Sequence, residues 1–272
     1  MVITLLTDFG TQDYFVAAMK GVILSRNPSV QIVDITHQVP PQDIRAGAFN
    51  LLAAYRDFPP GTIHVAVVDP GVGSDRRAII MDCAGQLFVA PDNGLLSWIA
   101  QRESKSLVYH VTNRSFFRQP VSNTFHGRDV FAPVAAGLSN GVAPSELGTL
   151  IDAMIQMESI DPTVRDDGRI EGTILHIDHF GNCITNLTAE HLGGRGTDAN
   201  LKLIVNETLI SSVRQFFSDQ AREDSQLFMF LGSAGFIEIA APNASAAAIL
   251  KARTGQSLAL SASTVRDEIG ST

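Results

Sequence analysis

Two carboxylates stand where the chain leaves an apolar run and turns. Val65-Ala66-Val67-Val68 ends at Asp69-Pro70-Gly71-Val72-Gly73, which puts Asp69 at the carboxyl end of a strand-like segment, the end at which open α/β sheets hold their ligands. Val2 to Leu6 likewise ends at Thr7-Asp8-Phe9-Gly10, and the two oxygens of Asp8 suit a pair of neighbouring sugar hydroxyls. Thr124-Phe125-His126-Gly127-Arg128-Asp129 is dense in functional groups just before the apolar Val130 to Leu138. Such a loop can present His126 into a cleft. Further on, Asp178-His179-Phe180-Gly181-Asn182 joins a charge, an aromatic face and an amide, groups suited to stacking on a purine and hydrogen-bonding it.

Each of these has an ordinary structural reading too. Asp before Pro-Gly often caps its own turn, and on residue types alone the two readings of Asp69 stand even. The Asp8 to Asp13 segment can cap a helix, a single His is more often structural than catalytic, and Asp178 to Asn182 fits a hairpin turn. Gly71-Val72-Gly73 is not a dinucleotide fingerprint. Arg76 stands where the third glycine belongs, and a strand follows in place of a helix.

The elements that must position these groups show in the rhythm of the chain. Val2 to Leu6, Ile32 to Ile35 and Ile63 to Val68 read as strands, with helices between them over Phe15 to Ile23 and Ile44 to Phe58. Further strands are expected at Ala78 to Met81, Leu87 to Ala90 and Val108 to Val111, and helices at Leu95 to Arg102 and Val130 to Leu138. This predicts an N-terminal α/β domain over residues 1–160 with a mainly parallel sheet. After the polar, turn-rich Asp161 to Gly168 the pattern becomes short strands, which predicts a smaller β-rich C-terminal domain over 168–266. Ala244 to Ala248 reads as a helix.

At 272 residues and 45% hydrophobic content the chain can bury an extensive core. A net charge of -8 with no Lys/Arg cluster argues against nucleic acid and anionic membranes as partners. No apolar run reaches transmembrane length. Met1 to Asp8 lacks a signal-peptide pattern, and Cys83 and Cys183 lack metal or disulfide spacing. A cytoplasmic protein with small-molecule ligands is expected.

Taken together, Thr7 to Gly10, Val68 to Gly73, Ala90-Pro91-Asp92-Asn93-Gly94-Leu95-Leu96, Thr124 to Asp129 and Phe180 to Asn182 with Thr185-Asn186 resemble the S-adenosyl-L-methionine hydroxide adenosyltransferase family. These are relatives of fluorinating and chlorinating enzymes, and the resemblance runs from about Ile3 to Ala262. It implies hydrolysis of S-adenosyl-L-methionine to adenosine and L-methionine, with no metal and no cofactor. It further implies a water-activating set of Asp69, Arg76 and His126, with Asp8 on the ribose hydroxyls and Phe125 among the substrate-binding residues. Asp178 and Ser233 would hold the methionine end, while Phe180 stacks on adenine and Asn182 hydrogen-bonds it. Arg76, not the adjoining Arg77, fits the spacing. The resemblance also implies a homotrimer with sites at subunit interfaces. Fluorinating relatives resemble one another in carrying tyrosine at the position of Asp69 and serine at that of Gly127, so water is the expected nucleophile here. Two other classes remain open: a non-catalytic S-adenosyl-L-methionine or adenosine binding module, and a metal-dependent hydrolase built on Asp8, His37, Asp69 and His126.

Overall fold

The first strand, β1 (Val2–Thr7), is buried along almost its whole length, because it is flanked by a strand on each edge and covered on both faces. In the computed structural model, which describes residues 1–103, 105–192, 201–215 and 226–262, β1 leads into α1 (Phe15–Arg26) and β2 (Gln31–Thr36). Next come α2 (Ile44–Ala54), β3 (Ile63–Val67), β4 (Ala78–Cys83), β5 (Gln86–Pro91), α3 (Ser97–Arg102) and β6 (Ser106–Val111). After a π-helical turn at Gly127–Phe131 follow α4 (Ala132–Ser139), α5 (Pro144–Leu147) and β7 (Gly148–Ile151). These elements form the first of two compact units, Met1–Ser159.

Its sheet runs β2-β1-β3-β5-β4-β6-β7. The β2, β1, β3 and β5 pairings are parallel, but β5 with β4, β4 with β6 and β6 with β7 are antiparallel. The expectation of a mainly parallel sheet is therefore corrected to a mixed one. The cause is local. Ala84 and Gly85 both adopt positive φ, 54° and 72°, which makes a two-residue hairpin between β4 and β5, and a parallel neighbour would have needed a crossover of a dozen residues or so.

One face of the sheet buries Ile3, Leu5, Val65 and Val67 against Met19 and Ile23 of α1 and Val134, Ala135 and Leu138 of α4. On the other face α2 comes so close that a Cβ on Gly47 would lie 2.9 Å from Leu95 and 3.0 Å from Val68. Asp43 caps α2, its side chain accepting from the Ala46 N–H at 2.9 Å. The stretch after β7 is fastened to this unit: Asp92 accepts from the Ile155 N–H at 2.7 Å, Ser97 Oγ from the Met157 N–H at 2.8 Å, and Trp98 Nε1 donates to the Glu158 carbonyl at 3.1 Å.

The second unit, Ile160–Thr272, contains β8 (Thr163–Val164), β9 (Ile170–Ile177), β10 (Cys183–Thr188), β11 (Leu201–Val205), β12 (Thr208–Ile210), β13 (Phe228–Leu231), β14 (Phe236–Ala240), α6 (Ala246–Leu250) and β15 (Ser257–Ala262). Its strands pair antiparallel in the order β12-β11-β15-β9-β10-β14-β13, with β8 added on β9. The stretch read as turn-rich, Asp161 to Gly168, thus contributes β8 to this unit, and the end expected at residue 266 lies outside the described residues. Ile174, Cys183, Leu187, Leu203, Ile237, Ile239 and Leu258 fill the core. Among the described residues no helix is long and apolar enough to cross a membrane.

One core group titrates. His64 of β3 is fully buried, its ring 4.9 Å from that of Phe88 in a stacked arrangement and its Nδ1 2.7 Å from Thr4 Oγ1. Burial pushes its pKa down to about 4, the Gln86 side chain opposing. The unfolded chain therefore binds a proton that the folded one refuses as pH falls from 6.5 to about 4. Stability contributed by the neutral ring is intact above that window and falls by about 3 kcal/mol across it. Urea unfolding as a function of pH should show this loss, and a His64→Leu variant should flatten that part of the profile even if it is less stable overall.

Candidate active site

β1 and β3 are parallel neighbours with Thr7 opposite Val67, so Asp8 and Asp69, which follow them, leave the sheet at the same end. β1 lies between β2 and β3 in the order, so the chain reverses its direction of travel across the sheet here, as at the ligand crevices of doubly wound folds. The turn after β3 is tight: Val72 N–H donates to the Asp69 carbonyl at 3.2 Å and Ser74 N–H to Gly71 at 3.1 Å. It returns Arg76 to Asp69. Arg76 Nε donates to Asp69 Oδ1 at 2.9 Å and Nη2 donates to Oδ2. Nη2 also lies 2.8 Å from His126 Nδ1, and the guanidinium rests 5.1 Å from the centre of the Phe131 ring. The Arg76 and Asp69 side chains are only 10% and 5% exposed, so water screens their attraction weakly.

This contact fixes the state of the imidazole. A guanidinium has hydrogens to give and no lone pair, so Nδ1 must accept and the proton of the neutral ring sits on Nε2. Burial, and then the charge of Arg76, lower the His126 pKa below its ordinary 6.5, against the opposite pull of Asp69 and Asp129. His126 is held neutral with Nε2–H facing outward from the pair.

Three devices bring His126 to Arg76. Gly73 adopts φ 81°, and a Cβ there would lie 2.3 Å from the Asn123 carbonyl oxygen; only glycine lets the Asp69 turn press on the loop before His126. Asp129, wholly buried, accepts from Arg128 Nε at 2.7 Å, from the Ser122 N–H at 2.9 Å and from Arg118 Nη1 at 3.2 Å, which ties both ends of that loop. Asn93 Nδ2 donates to the carbonyl of Val68 at 2.8 Å, supporting the residue before Asp69. Arg77 points elsewhere and donates to Asp92 at 2.7 Å. Residue types could not separate Arg76 from Arg77, but spacing did.

Asp8 accepts the Gln42 N–H at 2.8 Å, which leaves its other oxygen for a ligand. The turn that carries it is held by the buried His37, whose Nδ1 meets Thr7 Oγ1 at 2.8 Å and whose Nε2 lies 3.1 Å from the exposed carboxylate of Asp34. Asp34 in turn binds Lys20 at 2.6 Å, and Gly10 N–H donates to the His37 carbonyl at 2.8 Å. His37 is thus committed to Thr7 and Asp34, and among the described residues no group of three or more His, Cys, Asp or Glu side chains could hold a metal ion. Phe125 is 6% exposed and packs edge-on against Phe9, Phe15 and Tyr14, so it shapes the wall behind His126 more than it offers a face.

In the second unit, Asp178 organises its own turn. Its Oδ1 accepts from Phe180 N–H at 2.9 Å and Asn182 N–H at 2.8 Å, and its Oδ2 from Asn182 Nδ2 at 2.9 Å. Gly181, φ 85°, passes so near Ser245 that a Cβ would lie 2.2 Å from its hydroxyl. The result lifts Phe180 into solvent at 75% exposure while Asn182 is buried. The Phe180 ring meets that of His179 edge-on at 5.7 Å and otherwise faces solvent. Ser233 sits exposed on the turn between β13 and β14. Thr185 and Asn186 are structural: Thr185 Oγ1 donates to Ile237 O at 2.7 Å, and Asn186 joins Thr173 N–H and Ile160 O at 2.8 and 2.7 Å.

Residues 3–148 match the SAM hydroxide adenosyltransferase N-terminal domain, and residues 172–259 match its C-terminal domain. The chain belongs to the SAM hydroxide adenosyltransferase family. It is 36% identical over 247 residues to the (R)-S-adenosyl-L-methionine hydrolase of Methanocaldococcus jannaschii, covering 88% of this chain and 87% of that one. To the fluorinase of an Actinoplanes species it is 28% identical over 269 residues, covering 88% and 90%. A crystal structure of an uncharacterized conserved protein from Thermotoga maritima superposes with TM-score 0.88 at 34% identity, over 96% of this chain and 99% of that one.

For this member of the SAM hydroxide adenosyltransferase family, the Gly73 contact is open to direct test. Gly73→Ala combines a disfavoured φ with a clash on the Asn123 backbone and should cost about 1–3 kcal/mol. By separating Arg76 from His126 it should also raise the His126 pKa toward 6.5, the ordinary value, read by NMR titration. Gly61→Ala, with the same φ of 81° but open space around it, should leave His126 where it is. An unshifted His126 in Gly73→Ala would mean that the turn does not set the contact.

Proposed function

We propose that the protein hydrolyses S-adenosyl-L-methionine to adenosine and L-methionine, water attacking the ribose 5′ carbon in line with the carbon–sulfur bond. The observation that supports this most is the Asp69–Arg76–His126 cluster. Its Nε2–H can orient a water oxygen, and Asp69, whose oxygens keep further lone pairs after binding Arg76, can take the proton as the new carbon–oxygen bond forms. The carbon–sulfur electron pair leaves with sulfur as a neutral thioether, so no acid is needed on the leaving side. The sulfonium is a cation, and an ionised carboxylate near it is favourable. In this scheme neither a metal nor a cofactor has a step to perform.

Halide is a poorer nucleophile for such a site. Asp69 would repel an anion, and Gly127 has no hydroxyl to offer one. A Cβ at Gly127 would meet Met19, Phe9 and Phe125 at 3.0, 3.2 and 3.3 Å, so the three close over the position that a serine would need. Asp8 is assigned to the ribose hydroxyls, Phe180 and Asn182 to adenine, and Asp178 with Ser233 to the methionine end. Family resemblance and the presence of these groups in two separate units support a homotrimer in which neighbouring chains share each site; an active monomer in sedimentation at assay concentration would contradict it.

Purified protein should convert S-adenosyl-L-methionine to adenosine and methionine in chelator, and heavy-oxygen water should label the adenosine 5′ hydroxyl. Asp69→Asn and His126→Ala should each lower turnover by about 10²–10⁴-fold with ligand binding largely kept. Asp8→Ala should weaken binding first, since ribose contacts exist in ground and transition states alike. Binding without turnover, or label elsewhere, would overturn the reading.

A further inference from the structure

Leu6 is paired with Thr36 in the parallel β1–β2 ladder, so Thr7 and His37 leave the sheet side by side. Both are buried, at 0% and 4% exposure. Thr7 Oγ1 lies 2.8 Å from His37 Nδ1 and accepts the Phe9 N–H at 3.2 Å, while an oxygen of the Asp34 carboxylate lies 3.1 Å from His37 Nε2. A carboxylate only accepts, so the ring proton belongs on Nε2 and Nδ1 takes the hydroxyl hydrogen of Thr7. The other tautomer would set a lone pair against the carboxylate. The His37 carbonyl, for its part, accepts the Gly10 N–H at 2.8 Å. One residue thus grips the chain on both sides of Asp8, before it through Thr7 and after it through Gly10.

The carboxylate itself is held from the same segment. Asp8 Oδ2 accepts the Gln42 N–H at 2.8 Å, and Gln42 stands at φ 66°, a left-handed conformation that costs a residue with a side chain more than it costs glycine. Gln42 is the third residue of a turn closed by the Asp43 N–H on the Pro40 carbonyl at 3.0 Å, and Asp43 then caps α2. With His37 at one end and α2 at the other, residues 37–43 form a bracket fixed at both ends. Hydrogen bonds from hydroxyls to a carboxylate are charge-assisted and depend on direction. A carboxylate free to turn can follow whichever hydroxyl a ligand offers. One held along its backbone and at one oxygen cannot, so a ligand that lacks one of two hydroxyls loses that contact outright.

We propose that His37, acting through Thr7, is a positioning residue that fixes the Asp8 carboxylate for a vicinal diol and so makes the site select ribose over deoxyribose nucleosides. Neither His37 nor Thr7 need touch the ligand. This rests on the reading that Asp8 binds the ribose hydroxyls.

The test is calorimetric binding of adenosine and of 2′-deoxyadenosine to the full-length protein. Wild type should prefer adenosine by about tenfold or more, as for a lost charge-assisted contact. Thr7→Val, which keeps the shape and removes the hydroxyl, and His37→Phe, which keeps the ring and removes Nδ1, should each lose most of that preference; either serves if the other does not fold. Thr7→Ser, which restores the hydroxyl, should keep it. A merely structural role would lower the melting temperature or both affinities alike and leave their ratio at the wild-type value. A ratio retained in either folded variant, or lost in Thr7→Ser, overturns the inference. Asp8→Ala separates the two levels: if it abolishes the preference while Thr7→Val and His37→Phe keep it, only the positioning role fails. If Asp8→Ala itself keeps the preference, or wild type has none, the reading of Asp8 fails with it.

Discussion

The ion pair between Arg76 and Asp69 is the contact around which the first unit is arranged. A guanidinium is flat, permanently charged and forked, so it can bind both oxygens of a carboxylate and still give a hydrogen to an imidazole. Here it binds both oxygens of Asp69 and gives a hydrogen to His126 Nδ1, fixing the tautomer of that ring. The surrounding structure serves this geometry. β3 delivers Asp69 at the sheet end and Asn93 anchors the carbonyl before it. Gly73 lets the turn touch the next loop, and Asp129 ties that loop so that His126 cannot swing away.

The sequence showed the groups more clearly than their bonds. The runs ending at Asp8 and Asp69 were legible because buried strands followed by Asp and Gly are hard to read otherwise. The mixed sheet was not, because Ala84-Gly85 is a weaker hairpin signal than Asn-Gly, and a helix–strand rhythm carried over from β1 to β3 masks it. Asn93 and Asp92 stood in a recognised motif, yet their partners, the Val68 carbonyl and Arg77, lie 25 and 15 residues away, beyond any local pattern.

Asp178 shows why turn and site were hard to separate. All three of its side-chain hydrogen bonds are made within its own turn, which is the structural role in full. The same bonds hold Phe180 outward and Asn182 inward, so the turn is rigid where a ligand would need it to be. A structural role does not exclude a functional one, since rigidity of the support is a condition of precise binding.

The most direct measurement is the turnover of Arg76→Lys beside its affinity for adenosine. Lysine keeps the positive charge near Asp69 but cannot bind both carboxylate oxygens and His126 at once. If the forked bridge organises the reaction, the turnover number falls by about a hundredfold or more, as when an orienting group is lost, while adenosine binds as before. A lysine variant that turns over at the wild-type rate would show that charge alone suffices, and that the bridge to His126 has no part in the chemistry.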